Sequence, residues 1–434
     1  MQFNAQKEQF VEKELIKQIL MEQREEISRI FKDNIIQREK GAYLSKILGS
    51  NLIKVIMGVR RCGKSVLAHL LLKGKDYGYI NFDDERFIGV KSGELNDFLE
   101  ELKEIDPEFK YLFLDEIQNI EGWELFVNRL KRKGYNFIIT GSNSKLLSRE
   151  LAAHLTGRYL SAELYPFSFR EFLKFKNIAI TEKDVYITEK RALIKRMLNE
   201  YLEYGGFPEV FKVPAPARGN YLRELYDKAI TRDIVSRYNI KHVRDLKEIA
   251  MYAISNFSSR FTYNKIKKLF EIKSVHTIKS YINYLEEAYL LFQVNNFSYK
   301  LKEQFKQAKK IYCIDTGMIQ SIIPGASIDH GRLIENVVFL ELKRHDKEVY
   351  FYSKPDFEVD FLIKEGRDIN QLIQVCYSTK KEDTKKREIK ALLTASKQLR
   401  CNNLLVITWD EDRQEKTGPK IITFTPLWKW LLRA

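Results

Sequence analysis

The octapeptide GVRRCGKS at residues 58–65 spaces two glycines, a lysine and a serine as a phosphate-binding loop requires, G-x-x-x-x-G-K-S. The apolar run IKVIM before it reads as a buried strand, and SVLAHLLLKG after it reads as a helix. In that setting the glycines let backbone N–H groups turn inward on phosphate oxygens, and the helix adds the positive end of its dipole. The expected nucleotide contacts are Gly58, Val59, Arg60, Arg61, Cys62, Gly63, Lys64, Ser65 and Val66. Lys64 would reach the β- and γ-phosphates, and the Ser65 hydroxyl would ligate Mg²⁺, a cation that selects hard oxygen donors. Further on, YLFLDEIQNI at 111–120 is an apolar strand ending in two carboxylates. Asp115 would hold the Mg²⁺ through water, and Glu116 would orient and deprotonate an attacking water. A third strand, NFIITGSNS at 136–144, ends in small polar residues, of which Asn143, or in second place Ser142, could bond the γ-phosphate or that water. An ordinary Asx turn accounts for the same residues.

A second group of chemically suggestive residues lies near the other end of the chain. Glu335 in RLIENVVFLEL, Asp360 in FEVDFLI and the pair Gln374 and Cys376 in LIQVCYS follow the helix–strand–strand order of a metal-dependent nuclease site. That chemistry needs two or three carboxylates for Mg²⁺ and a lysine beside the attacking water. Gln374 is a neutral, weaker ligand, Cys376 carries no fixed positive charge, and Lys380 and Lys381 come only after the strand. The expected reading is a degraded nuclease site. Cys376, flanked by Val375 and Tyr377, reads as a core thiol and not as a nucleophile. The six histidines show no metal-ligand spacing, and the four cysteines are too scattered for a zinc ribbon or a disulfide framework.

These residues need particular elements to hold them. From 52 to 165 short β-branched or aromatic runs alternate with helical segments, the pattern of a parallel sheet covered on both faces. Residues 6–32 carry Phe10, Leu15, Ile19, Ile27 and Ile30 at helical spacing, one amphipathic helix. The expected organisation is an N-terminal helix over 1–35, an α/β ATPase core over 36–167, a helical segment over 168–240 that the family resemblance given below implies to be a lid, a winged helix over 241–315 and a nuclease-like α/β domain over 316–434. In the winged helix, Ser274, His276, Thr277 and Lys279 lie near the start of the recognition helix, and Lys265, Lys267 and Lys268 could meet phosphates. Glu286 and Glu287 further along it fit a protein-docking module instead.

The formal net charge is +15, from 74 basic and 59 acidic residues. Such an excess attracts a polyanion, although a lysine-rich solvated surface gives the same sum. No window approaches the roughly 18 uncharged apolar residues of a membrane span, so a cytoplasmic location is expected.

Jointly, GVRRCGKS, YLFLDEIQNIEGWE, IITGSNSKLL, LTGRYLSAELYPFSFREF and YGGFPEV resemble the prokaryotic AAA-type ATPases whose C-terminal half is a domain of unknown function with a restriction-endonuclease-like core. The resemblance covers nearly all of the chain after residue 35. It implies a P-loop NTPase core with a lid, a winged helix-turn-helix and that terminal domain, with ATP and Mg²⁺ as cofactors. It further implies that Gly206 and Pro208 contact adenine, and that Arg158 senses or stabilises the γ-phosphate. A surface salt bridge is the other account of Arg158. The leading expectation is an ATPase that acts as a switch or motor on double-stranded DNA or a DNA-bound partner. An ATP-gated protein-interaction switch and an active nuclease stand behind it, and a homo-oligomer is compatible with all three.

Overall fold

The computed structural model describes residues 12–31, 35–142, 155, 157–323 and 329–433. The chain divides into two compact units, Met1–Leu164 and Tyr165–Ala434. In the first, β1 (Ile53–Met57), β2 (Tyr77–Asn81), β3 (Tyr111–Asp115), β4 (Asn136–Gly141) and β5 (Tyr159–Glu163) form a sheet in the order β2-β3-β4-β1-β5. Every pairing is parallel. β1 is buried throughout, as a strand covered on both faces must be, whereas β2 at the edge alternates buried and half-buried residues.

The amphipathic helix near the start is α1 (Lys13–Ile30). Its buried face is Ile16, Ile19, Leu20 and Gln23, one residue around from the expected stripe, and Leu15 points to solvent. Gln23 makes a strand-like pair with the open edge of β2: its Oε1 accepts from the Asn81 N–H at 2.9 Å, and its Nε2 donates to the Asn81 carbonyl at 3.1 Å. A glutamine there satisfies edge groups that would otherwise invite a foreign strand. The other first-unit helices are α2 (Glu39–Ile47), α3 (Lys64–Leu72), α4 (Leu95–Ile105) and α5 (Trp123–Arg132).

The second unit begins with α6 (Phe169–Phe175), α7 (Thr188–Tyr204) and α8 (Arg218–Lys228), the last continued by a π-helical stretch over Ala229–Ser236. Next come α9 (Val243–Ser255), β6 (Ser259–Phe261), α10 (Tyr263–Leu269), α11 (Val275–Glu287), β7 (Leu291–Asn295), α12 (Leu301–Lys306) and β8 (Lys309–Cys313). The sheet here is β6-β8-β7, antiparallel. The sequence reading foresaw two of its three strands; β6 is too short to leave a periodic signal. α13 (Thr316–Ile322) packs against α7 and α8, so residues just after 315 associate with the helical part of the unit.

The remainder runs α14 (His330–Arg344), β9 (Glu348–Lys354), β10 (Phe357–Glu365), β11 (Asp368–Val375), α15 (Glu382–Leu399), β12 (Leu404–Thr408), β13 (Arg413–Thr417), β14 (Lys420–Pro426) and α16 (Leu427–Arg433). Its six strands are ordered β13-β14-β12-β11-β10-β9. β13, RQEKT, has no apolar residue and so leaves no strand signal in the sequence; it pairs with β14. The edge of β9 is covered within the unit. Phe297 donates its N–H to the Phe351 carbonyl at 2.8 Å, and the Asn296 amide both accepts from and donates to the Ser353 backbone.

Candidate functional site

The phosphate-loop sequence sits between β1 and α3. Gly63 is the N-cap of α3 in the left-handed region, φ 95°, which an L side chain would resist. Gly58 answers a steric demand: a Cβ there would lie 2.0 Å from the Leu164 carbonyl oxygen. Lys64 is the first residue of the helix, and its ammonium bonds the carbonyls of Gly58 (3.1 Å) and Val59 (3.3 Å) and pairs with Glu116 Oε1 at 3.3 Å. Burial opposes the Lys64 charge, and the Glu116 carboxylate more than restores it.

Asp115 and Glu116 end β3 inside this cluster. Asp115 accepts hydrogen bonds from the hydroxyls of Thr140, Tyr79 and Ser65. Glu116 adopts φ 51°, ψ 38°, a left-handed conformation that costs a non-glycine residue about 1–3 kcal/mol and concentrates at functional positions. The neighbours hold it there. Its N–H donates to Thr140 Oγ1 at 3.3 Å, while its Oε2 accepts from the Ser142 N–H at 3.1 Å and from Gln118 Nε2 at 2.5 Å. The two carboxyls titrate apart. Burial, then the adjacent Glu116 charge, raises Asp115; for Glu116, burial is outweighed by the positive charges of Lys64 and Arg60, which lower it. Glu116 is thus held as an anion that can accept a proton.

Two buried polar atoms beside Glu116, Ser142 Oγ and Gln118 Oε1, have no hydrogen-bond partner among the described residues. Buried polar groups are almost always satisfied, so a polar ligand or water belongs against them. With the turned loop, Lys64, and the Ser65 and Asp115 oxygens side by side, the residues present fit a nucleotide phosphate chain and Mg²⁺.

The structure thus assembles Gly58 to Val66, Asp115 and Glu116 as one site. Arg158 is not part of that cluster. It precedes β5, whose first residue Tyr159 pairs with Ile53 at the start of β1, about 13 Å of strand from Met57 at the loop end. Its exposed guanidinium donates to Asn128 Oδ1 at 2.6 Å. Asn143 lies outside the described residues. Pro208 belongs to the second unit, where it begins a 3₁₀ turn, and the YGGFP glycines have a packing reason there. Gly205 has φ 75°, and a Cβ on it would lie 1.9 Å from the Asp315 carboxylate; the Gly206 N–H donates to that carboxylate at 2.7 Å. Sequence reasoning missed Arg38, whose Nη1 bonds the Cys62 carbonyl at 2.7 Å, and also Thr140 and Gln118. Only Gln118, two residues past the acidic pair, left any signal.

Glu335, Asp360, Gln374 and Cys376 line one cavity of about 680 Å³. Asp360 Oδ2 accepts the Val375 N–H at 3.0 Å, and the Asp360 N–H donates to Gln374 Oε1 at 3.3 Å. Cys376 is buried in the core beneath α15, and burial pushes its thiol up to about 12. Three residues absent from the sequence reading join this cluster: Glu358, Glu388 on α15, and Lys310 on β8.

On the DNA-facing candidates, Ser274 caps α11 by accepting from the His276 N–H at 3.1 Å. Lys265, Lys268, His276 and Lys279 are exposed. Glu286 is spent inside the module, bonding the Gln293 N–H at 3.0 Å and its side-chain amide at 2.9 Å, and Glu287 accepts from the Tyr238 hydroxyl.

Residues 50–173 match a family model described as an AAA domain. Residues 195–327 and 330–430 match two domains of unknown function, DUF8612 and DUF4143. The first of these two spans the expected lid and winged helix together. The chain is 39% identical over 400 residues to the uncharacterized protein MJ1544 of Methanocaldococcus jannaschii, covering 88% of each. It is 32% identical over 358 residues to an uncharacterized protein of Haemophilus influenzae, covering 77% of this chain and 85% of that one. Among solved structures it is similar to the Aeropyrum pernix ORC1 protein in complex with DNA at 11% identity and a TM-score of 0.31, over 67% of this chain and 93% of that one.

Proposed function

The chain belongs to the same family as the uncharacterized protein MJ1544 of Methanocaldococcus jannaschii and carries an AAA domain, and from that premise we propose that it is a Mg²⁺-dependent ATPase whose nucleotide cycle switches its hold on DNA or on a DNA-bound partner. The observation that carries the reading is the Lys64–Glu116 cluster: a glycine-turned loop whose Gly58 and Val59 carbonyls hold a buried ammonium, and a strained, anionic glutamate within 3.3 Å of it.

Backbone amides of 58–65 and the Lys64 ammonium bind and orient the β- and γ-phosphates. Ser65 and Asp115 would hold the metal, which would neutralise charge on the phosphate oxygens. Glu116, kept ionised by Lys64 and Arg60 and aimed by Ser142 and Gln118, takes the proton of the attacking water. Asn143 is the further candidate for holding that water. Arg158 would serve from a second copy of the chain, since within its own subunit it lies beside the start of β1, at the opposite end of that strand from the loop.

Support for the DNA branch is the antiparallel three-stranded sheet with α9, α10 and α11, read as a winged helix, and the exposed basic residues on α10 and α11. The glutamates that favoured protein docking are engaged internally, which removes the sequence argument for that alternative. The decisive experiment is ATP turnover by the wild type and Glu116→Gln, with and without duplex DNA, at two salt concentrations. DNA that changes neither turnover nor its own salt-sensitive affinity when nucleotide is added ends the DNA reading.

A further inference from the structure

The carboxylate cluster of the second unit already holds a cation, and that cation is a side chain. Lys310 reaches in from β8, and its ammonium lies 2.8 Å from Asp360 Oδ1, 2.8 Å from Glu358 Oε1 and 3.0 Å from Glu335 Oε1. The side chain is 2% exposed. No other contacts are needed to satisfy its three donors.

Two of the remaining carboxylate oxygens are also taken: Glu358 Oε2 pairs with Arg260 Nε at 3.2 Å, and Asp360 Oδ2 accepts the Val375 N–H. Glu335 Oε1, already paired with Lys310, accepts a second bond from the Tyr312 hydroxyl at 2.6 Å. A metal would have to displace these donors one by one. Among the described residues no group of His, Cys, Asp or Glu stands ready to hold a metal ion. The donors are anchored elsewhere too: Arg260 Nη1 bonds Ser353 Oγ at 2.8 Å, and the Asn336 amide brackets the Cys313 backbone at the end of β8 with bonds of 2.8 and 3.0 Å.

We propose that Lys310 is the built-in cation of this site: it occupies the place a divalent metal would take between Glu335, Glu358 and Asp360, closes the site to Mg²⁺ and Mn²⁺, and fastens β8 to the six-stranded module. The site becomes a divalent-cation site when the lysine is removed. This goes beyond the ATPase reading and does not depend on it.

The test is Mn²⁺ binding by the full chain without nucleotide, followed by electron paramagnetic resonance. Wild type and Asp360→Asn bind equally little, Lys310→Met gains one Mn²⁺ per chain, and Lys310→Met with Asp360→Asn loses it again. A wild-type Mn²⁺ that Asp360→Asn abolishes overturns the proposal, as does a folded Lys310→Met that gains none. If Lys310→Met does not fold alone, refolding with Mn²⁺ restores its circular dichroism; failure of Mn²⁺ to restore it overturns the proposal as well.

Discussion

Each unit buries a lysine among carboxylates, yet the two lysines are bonded in different ways. Lys64 makes one ion pair, at 3.3 Å, and spends its other contacts on loop carbonyls at 3.1 and 3.3 Å. Lys310 makes three ion pairs at 2.8–3.0 Å. Among the described residues, polar atoms are left over beside Lys64's partner Glu116, on Ser142 and Gln118; around Lys310, Glu335 Oε1, Glu358 Oε2 and Asp360 Oδ2 are bonded to Tyr312, Arg260 and the Val375 amide. Charge alone therefore does not make a ligand site. What distinguishes the two is whether donors and acceptors remain uncommitted, because a ligand that must first break good buried bonds gains little from replacing them.

The sharpest break of this comparison is Glu116→Gln. Turnover should fall about 10²–10⁴-fold while nucleotide still binds, measured by phosphate release and by fluorescent-nucleotide titration. Loss of binding instead would mean that Glu116 builds the loop and does no chemistry. Next in size is the stability contrast. In metal-free buffer Lys310→Met should cost about 3–5 kcal/mol in urea unfolding, because it strands buried carboxylates. Lys64→Met should cost clearly less, since Glu116 keeps its bonds to Gln118 and Ser142; equal losses would show that burial, and not bonding, sets the difference.

The pH response should differ in sign between two buried groups, one in each unit. In the first, burial pushes His69 down to about 4. The unfolded chain then binds the extra proton, so this stability is full above about 6.5 and lost as pH falls toward 4, roughly 3 kcal/mol in all. In the second, burial pushes Asp315 up to about 6 despite the Gly206 and Met318 amides. There the native state holds the extra proton, so its contribution is greatest below about 4 and is lost as pH rises through 6, again by roughly 3 kcal/mol. Melting midpoints from pH 4 to 7 for His69→Phe and Asp315→Asn should lose slopes of opposite sign. The smallest expected effect is on the exposed basic surface of α11: Lys279→Gln should lower the slope of log affinity for duplex DNA against log salt by about 1, with no change in melting temperature.

Much of the first site was legible because its residues are neighbours in sequence. The loop, the first turn of α3 and the end of β3 follow from spacing and hydrophobic pattern. The second site was legible only in outline. Glu335, Asp360 and Gln374 could be aligned from helix and strand order, but Glu358 went unread although it lies two residues before Asp360 in the same strand, where alternation puts both carboxylates on one face. The glycines of YGGFP could be seen as a break between helices; their reason, the carboxylate of Asp315, lies 109 residues away.

By itself, then, the sequence determined the parallel α/β core and the strand–loop–helix of residues 53–72, since local backbone geometry places those residues without outside help, while Asp115 and Glu116 reach the loop through the sheet order. It also marked the absence of a lysine at position 376. Only the tertiary structure decided what became of those carboxylates. Lys310 lies 50 residues before Asp360 and on another sheet, and its meeting with Glu335, Glu358 and Asp360 is a product of packing β8 against the six-stranded module, which no local spacing encodes.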